Sequence, residues 1–297
     1  MSYKRRDFLK VSTALASGLA LTSVAGKLVG CASTGRLSNG TQPFGIQLYT
    51  LREDMPKDPK GILKQLSSFG YKQIESYEHP QQGMFWSMKN TEFKKYMDDL
   101  GMKIVSSHTD MNKDFERKAA EAGAIGMNYL ICPYLGPKKS MDEYKKAAQR
   151  FNECGEICRK NGLKFAYHNH DYSFQLLDGQ YPQDVMMAAS DTALVDFQMD
   201  IYWVVTAGQD PAQWFAKYPN RFRLGHVKDR TKGIPASEKA NTTTLGTGSI
   251  SYPEILSAAK KNGMNFFIVE QEQYDGTTPI AAAQAGAAYM QKIKISG

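Results

Sequence analysis

The strongest constraint on the fold is a regular alternation, from Phe44 to the C-terminus, of short apolar runs and longer amphipathic stretches. Eight of the runs have the length and apolar content of buried β-strands. The predicted strands are Phe44–Tyr49, Gln73–Tyr77, Lys103–Ser107, Tyr129–Cys132, Leu163–His168, Leu194–Asp200, Phe222–Val227 and Phe266–Glu270. The predicted helices are Pro59–Phe69, Thr91–Leu100, Phe115–Ala122, Met141–Lys160, Pro211–Lys217, Pro253–Lys261 and Ile280–Lys294.

Eight strands with helical connections predict a single-domain (β/α)8 TIM barrel. Glycines at the expected helix ends support these boundaries, because glycine readily adopts the left-handed conformation that ends many helices. They are Gly70, Gly101, Gly162 and Gly263. A doubly wound open sheet is the alternative, but it usually carries a glycine-rich phosphate loop after the first strand. The stretch Thr50–Asp54 contains no glycine, which favours the barrel.

Side chains that bind metals or move protons stand at the predicted strand ends. In a TIM barrel the C-terminal ends of the strands converge on one pocket. His168 and His170 are two residues apart, so they share one face of an extended segment. A single histidine at a strand end is more often structural, but the whole set predicts a site. Its members are Gln47, Glu75, His108, His168, His170, Asp200, His226, Lys228, Glu270 and Glu272.

These residue types suit metal-assisted chemistry on a sugar. Mixed imidazole and carboxylate ligands favour one Mn, Zn, Co or Fe(II) ion over Ca or Mg. Such an ion polarises a carbonyl and acidifies the adjacent C–H, so that an enediolate can form. Glu270 and His168 are the predicted catalytic acid–base groups. Lys228 is predicted to bind a developing oxyanion, with a solvated lysine as the alternative.

Substrate contacts are predicted for Gln47, Glu75, His108, His170 and Trp203 at the same strand ends. Aromatic side chains near the pocket are candidates for stacking on a sugar ring, although each one alone is more often part of the core. These aromatic residues are Tyr49, Phe85, Trp86, Tyr172 and Trp203.

Residues 1–31 have the pattern of an export signal. Lys4–Lys10 resembles a twin-arginine motif, and Val11–Gly26 is uncharged but too short and too weakly apolar for a stable membrane span. Leu28–Cys31 resembles a bacterial lipobox, which predicts lipidation at Cys31. A flexible tether over 32–42 and a catalytic barrel over 43–297 would follow. The expected location is the membrane surface, facing the periplasm or the cell exterior; an ordinary amphipathic N-terminus is the alternative.

The charge of the chain gives little support for a nucleic-acid partner. The formal net charge is +7, but residues 1–30 hold five basic residues and one acidic residue, so the remainder carries +3. No basic block or DNA-reading motif is present in the sequence.

Cys154 and Cys158 are four apart on a predicted helix, which places their Cβ atoms about 5–6 Å apart, too far for a disulfide. They and Cys132 are predicted to be free, buried thiols.

Residues 43–295 resemble the xylose-isomerase-like barrel superfamily, whose members are often called sugar phosphate isomerases/epimerases. The resemblance lies in the order of short motifs, including Gly45–Tyr49, Ile74–Tyr77, Ser106–His108, Tyr167–His170, Met199–Asp200, Gly225–Asp229 and Val269–Gln271. It implies one divalent ion bound by Glu, Asp, His and Glu from strands five to eight. The last three ligands fall on Asp200, His226 and Glu270, and the first falls on His168.

The histidine at position 168 departs from the family pattern, which has a glutamate there. In the ketose epimerases that glutamate is one of two opposed acid–base groups. Thr247 departs as well, because relatives often have an acidic residue there. The resemblance therefore implies a metal-dependent keto-sugar isomerase, epimerase or lyase, with simple two-base epimerisation disfavoured. Exported relatives with a Tyr-His-Asn-His strand suggest 3-keto-glycosides as substrates.

Two other functions are weighed against this one. A non-catalytic carbohydrate-binding lipoprotein is the main alternative, and an endonuclease acting on damaged DNA is disfavoured by the missing basic face. Barrels of this type often pair, so a homo-oligomer is left open.

Overall fold

The computed structural model describes residues 42–235 and 238–296. The predicted signal, the lipobox with Cys31 and nearly all of the tether lie outside the described residues. Within the described ranges, no helix is long and apolar enough to cross a membrane.

Eight parallel strands close into a barrel in the order β1-β10-β7-β6-β5-β4-β3-β2. Their bounds are β1 Gly45–Gln47, β2 Gln73–Tyr77, β3 Lys103–His108, β4 Tyr129–Cys132, β5 Lys164–His168, β6 Val195–Asp200, β7 Phe222–Val227 and β10 Phe266–Val269. Closure is made by β1 and β10, with Gly45 opposite Ile268. The predicted single-domain TIM barrel is confirmed, and the open sheet is wrong.

Helices surround the barrel in the part of the chain that the structure describes. They are α1 Pro59–Phe69, α2 Asn90–Asp99, α3 Phe115–Gly123, α4 Met141–Lys160, α5 Pro182–Ala189, α6 Ile201–Thr206, α7 Pro211–Lys217, α8 Tyr252–Lys261 and α9 Pro279–Lys292. At the start of α1, the Asp58 carboxylate accepts a hydrogen bond from the Gly61 N–H. Gly70 ends that helix with φ +103°, and the other three predicted capping glycines also have positive φ.

Two helices were not predicted from the sequence. Helix α6 follows β6 without a loop, and its Ile-Tyr-Trp-Val-Val sequence has the β-branched and aromatic content of a strand. Helix α5 is only eight residues long. The first strand also ends earlier than predicted, because Leu48–Leu51 forms a 3-10 helix.

The barrel interior is apolar at one end and polar at the other. Tyr129, Ile131, Ala166 and Leu224 form a small apolar cluster inside the barrel, while a larger core fills the space between strands and helices. The three cysteines among the described residues are buried and free, as predicted. Beyond β7, the short strands β8 (Asp229–Arg230) and β9 (Thr242–Thr243) pair antiparallel beside the polar end.

Candidate active site

A cavity of about 720 Å³ opens at the C-terminal ends of the barrel strands. This is a volume typical of small-molecule sites. The predicted residues His108, His168, His170, Glu270 and Glu272 line it. Tyr77 at the end of β2 and the loops after β2, β3 and β4 supply other walls, and the loop residues include His79, Met111 and Tyr134.

A fully buried carboxylate, Glu75 on β2, organises the layer below this cavity. Its Oε1 accepts from Gln47 Nε2 at 2.8 Å and from His226 Nε2 at 2.5 Å. Its Oε2 accepts from Ser106 Oγ at 2.6 Å and from Gln198 Nε2 at 2.7 Å. The parallel register brings them together, since Gln47 and Ser106 lie opposite Glu75 on the neighbouring strands.

Gln198 on β6 connects Glu75 to two histidines. Its Oε1 lies 2.8 Å from His108 Nε2 and 2.8 Å from His168 Nδ1. The side chain is fully buried. Gln198 was not predicted from the sequence, although it lies two residues before Asp200 and therefore on the same face of its strand.

Asp200 ends β6 and begins α6. Its backbone N–H donates to Asn169 Oδ1 at 3.0 Å, and a side-chain oxygen accepts from the Trp203 N–H at 3.3 Å. The first contact positions the backbone of Asp200, and the second orients its carboxylate. The other oxygen, Oδ2, is buried and accepts no hydrogen bond of good geometry, although the ammonium of Lys228 lies 2.9 Å away.

Two further predicted ligands face this oxygen. His168 Nε2 lies 3.6 Å and His226 Nδ1 lies 3.9 Å from Asp200 Oδ2. His226 Nδ1 is also 2.9 Å from Glu270 Oε2. Ligand atoms of Asp200, His226 and Glu270 all lie within 4.8 Å of one another, as do nitrogens of His108, His168 and His226.

Lys228 is buried and not solvated, which excludes the alternative considered for it. Its Nζ lies 2.9 Å from Asp200 Oδ2, 2.7 Å from Glu270 Oε2 and 2.6 Å from Glu272 Oε1. The ammonium group donates a hydrogen bond to Glu272 and forms ion pairs with Asp200 and Glu270.

The protonation states follow from these contacts. Burial opposes charge on Glu270, but Lys228 and His226 outweigh it and hold its pKa well below the usual range. Burial likewise opposes protonation of His226, but Glu270 and Glu75 raise its pKa to about 10. For Asp200 burial prevails over Lys228 and raises the pKa.

The pKa values of His168 and His170 are lowered instead. Burial, aided by the neighbouring His226, lowers the pKa of His168 well below its usual value. Burial and the Lys228 charge lower the pKa of His170 to about 3. Both rings are therefore neutral near pH 7, so each has one nitrogen lone pair that can bind a metal or accept a proton.

The donor set fits a divalent cation. Buried imidazole groups and the Lys228 ammonium surround Asp200 Oδ2, and all four residues predicted as ligands (His168, Asp200, His226 and Glu270) contribute to this arrangement. The mixture of nitrogen and oxygen donors suits Zn, Mn, Co or Fe(II).

Other predicted residues lie in different places. Gln47 and Glu75 were predicted to contact the substrate directly. The structure instead places both fully buried below the cavity, where their polar atoms are hydrogen-bonded to protein atoms. Trp203 is half-buried, and its ring lies 5.4 Å from the His170 ring.

Of the proposed stacking residues, Tyr49 lines the cavity and is 41% exposed. Phe85 and Trp86 are core residues instead, since Trp86 Nε1 donates to Ser76 Oγ and both rings are buried. The Tyr172 hydroxyl accepts from the backbone N–H groups of Leu135 and Gly136, which orders the loop after β4.

Comparison with known proteins relates the chain to sugar-acting enzymes. Inosose dehydratase from Clostridium perfringens is 26% identical over 145 residues, covering 44% of this chain and 48% of that protein, so the chain spans about half the length of this curated relative. A sugar phosphate isomerase/epimerase from Parabacteroides distasonis has a TM-score of 0.75 and 27% identity, covering 88% of this chain and 97% of the other.

A solved structure described as IOLI protein with a binding zinc atom has the same fold, with a TM-score of 0.69 at 15% identity, covering 84% of this chain and 96% of that one. A family model described as xylose isomerase-like TIM barrel matches residues 63–293, most of the chain. The chain therefore belongs to the xylose isomerase-like TIM barrel family.

Proposed function

We propose that this protein is a metal-dependent lyase or isomerase that removes a proton next to the carbonyl of a keto-sugar or a related cyclic ketone. The observation that carries the proposal is the convergence of His168, Asp200, His226 and Glu270 on one buried centre beside Asp200 Oδ2. Two of these residues, His168 and Glu270, also line the cavity, so a bound substrate reaches the same centre.

A divalent cation bound here supplies Lewis-acid polarisation of a neighbouring carbonyl. Asp200, His226, Glu270 and the Nε2 atom of His168 would hold it. The inosose dehydratase relative and the zinc-bound structural neighbour support this assignment of chemistry and metal class.

Glu270 is the proposed base. Among the described residues, all its side-chain polar contacts are made through Oε2, to His226 and Lys228. Oε1 is therefore left to accept a substrate proton in the cavity. His170 is neutral, and its buried Nδ1 atom has no hydrogen-bond partner. It is the proposed partner for a substrate hydroxyl.

The geometry favours elimination or isomerisation over epimerisation. Inversion at one carbon by direct proton transfer uses two bases on opposite faces of the substrate. Where the family places the second carboxylate, this chain has His168, which the proposed metal site uses as a ligand. One base and one hydroxyl-binding group are sufficient to remove water beside a ketone.

The direct test follows proton exchange next to a ketone. The purified protein is incubated in D2O with a panel of keto-sugars, 3-keto-glycosides and cyclic keto-polyols, and exchange and alkene formation are followed by 1H NMR. Exchange should disappear with a chelator and return with Zn or Mn. Glu270→Gln should slow it by about 10²–10⁴-fold, whereas the exposed Glu92→Gln should not. Exchange that persists with chelator or in Glu270→Gln would contradict the proposal.

A non-catalytic sugar-binding protein is the second candidate. The observation in its favour is Lys228, whose ammonium already neutralises Asp200 and Glu270. This function would give saccharide binding that is insensitive to chelator and no exchange with any ketone in the panel.

For localisation, we propose export and lipidation at Cys31. The support is the order of a twin-arginine-like motif and a lipobox-like motif in residues 4–31. In cells fed with a labelled fatty acid, Cys31→Ser should lose both the label and membrane association. The control, Cys154→Ser, should retain both.

A further inference from the structure

We infer that Gln198 sets the tautomer of His168, placing the ring proton on Nδ1 and the lone pair on Nε2, the nitrogen that faces Asp200. Gln198 is thus a positioning residue for the metal site. This inference rests on the proposed function for its role in metal binding, but the tautomer itself is testable without metal.

The orientation of the Gln198 amide follows from its contact with Glu75. The Glu75 carboxylate is surrounded by donors, with Gln47 Nε2 and His226 Nε2 at one oxygen and Ser106 Oγ at the other. A carboxylate in that environment accepts, so the Gln198 atom 2.7 Å from it must be the NH2 group. The reversed amide would place two acceptor oxygens in contact.

The fixed amide then determines both neighbouring imidazoles. Its oxygen lies 2.8 Å from His108 Nε2 and 2.8 Å from His168 Nδ1, so both nitrogens must carry protons. A neutral His168 with its proton on Nδ1 has its lone pair on Nε2. That atom lies 3.6 Å from Asp200 Oδ2.

The same layer prepares the second histidine. His226 Nε2 donates to Glu75 Oε1, which leaves Nδ1 as the nitrogen directed at Glu270 and Asp200. Hydrogen bonds of this kind orient metal-binding histidines, and losing one typically lowers metal affinity 10–100-fold. For His168 the orienting group is a neutral amide whose direction depends on Glu75.

Gln198→Met tests the inference, because methionine has a similar shape but no acceptor. The matched control is Gln183→Met, a buried glutamine on α5, outside the barrel strands. In metal-free protein labelled with 15N-histidine, long-range 1H–15N spectra report which His168 nitrogen is protonated. The signal is assigned by its loss in His168→Glu. Zinc affinity is measured by competition with a chromogenic chelator.

Wild type and Gln183→Met should show protonated Nδ1 at His168 and equal zinc affinity. Gln198→Met should shift the proton to Nε2 and weaken zinc binding about 10–100-fold. In the His168→Glu background, Gln198→Met should change the affinity by less than about threefold, because a carboxylate has no tautomer to set. A general structural effect of Gln198→Met would instead weaken binding in both backgrounds.

Protonated Nε2 at His168 in the wild type would overturn the inference, even if Gln198→Met does not fold. Equal zinc affinity in wild type and Gln198→Met would overturn it as well. A wild type that binds no metal would refute the proposed metal chemistry instead, and the His168 tautomer would still support or overturn the role of Gln198.

Discussion

Replacing Glu75 by glutamine should leave the barrel folded, lower its stability and weaken metal binding. The change keeps the shape of the side chain but replaces one acceptor oxygen by an NH2 donor. At the Oε1 position the NH2 group would face the donors Gln47 Nε2 and His226 Nε2. At the Oε2 position it would face Ser106, which can reverse its hydroxyl, and Gln198, which would have to rotate its amide.

The magnitude follows from these contacts. At least one buried donor loses its acceptor, which costs about 1–3 kcal/mol, and the hydrogen bond from His226 loses its charged partner, which costs about 1 kcal/mol more. A total of about 3 kcal/mol corresponds to a fall in Tm of about 6–12 °C for a domain of this size. A rotated Gln198 would present its NH2 group to His168 Nδ1, so the proton of the neutral ring would lie on Nε2. Zinc binding should then weaken about 10–100-fold.

The assay is thermal unfolding in chelator, followed by zinc titration of the same samples. Glu92→Gln is the control, because its ion pair with Lys60 is exposed and contributes at most about 1 kcal/mol. A Glu75→Gln protein that melts within about 2 °C of wild type and binds zinc equally well would refute the reasoning. That result would mean that Glu75 neither stabilises the layer below the cavity nor orients the ligands.

Three further predictions concern the metal site. The pKa of His226 is raised to about 10, so a metal that binds at Nδ1 must displace a proton. Metal affinity should therefore rise about tenfold per pH unit from pH 7 to 8.5. Calorimetry in two buffers should detect one released proton, and a pH-independent affinity would contradict this prediction. Lys228→Met removes the cation between Asp200 and Glu270. It should lower the stability of the metal-free protein by about 3–5 kcal/mol and tighten metal binding more than tenfold. Weaker metal binding in this variant would show that Lys228 supports the metal. Asp200→Asn should lose metal measured by mass spectrometry of the purified protein, and full occupancy in that variant would exclude Asp200 as a ligand.

Local patterns were sufficient to predict the barrel. Apolar runs of strand length, amphipathic stretches and capping glycines are properties of neighbouring residues, and the bounds of β2, β4, β7, α1, α4 and α7 agree with prediction to the residue. Helix α6 was missed because its local composition favours a strand. It forms a helix in this fold, where the Asp200 carboxylate caps its first turn and the following loop leads to α7.

The sequence by itself determined which ligand-type side chains stand at the strand ends, because strand ends and residue types can be read locally. Only the tertiary structure decided which groups the ring nitrogens of His168 and His226 contact, and that Lys228 forms ion pairs with three carboxylates. The contacts responsible join residues far apart in the chain: Glu75 is 123 residues from Gln198 and 151 from His226. A tautomer depends on the partner across the barrel, and barrel closure brings that partner into hydrogen-bonding distance.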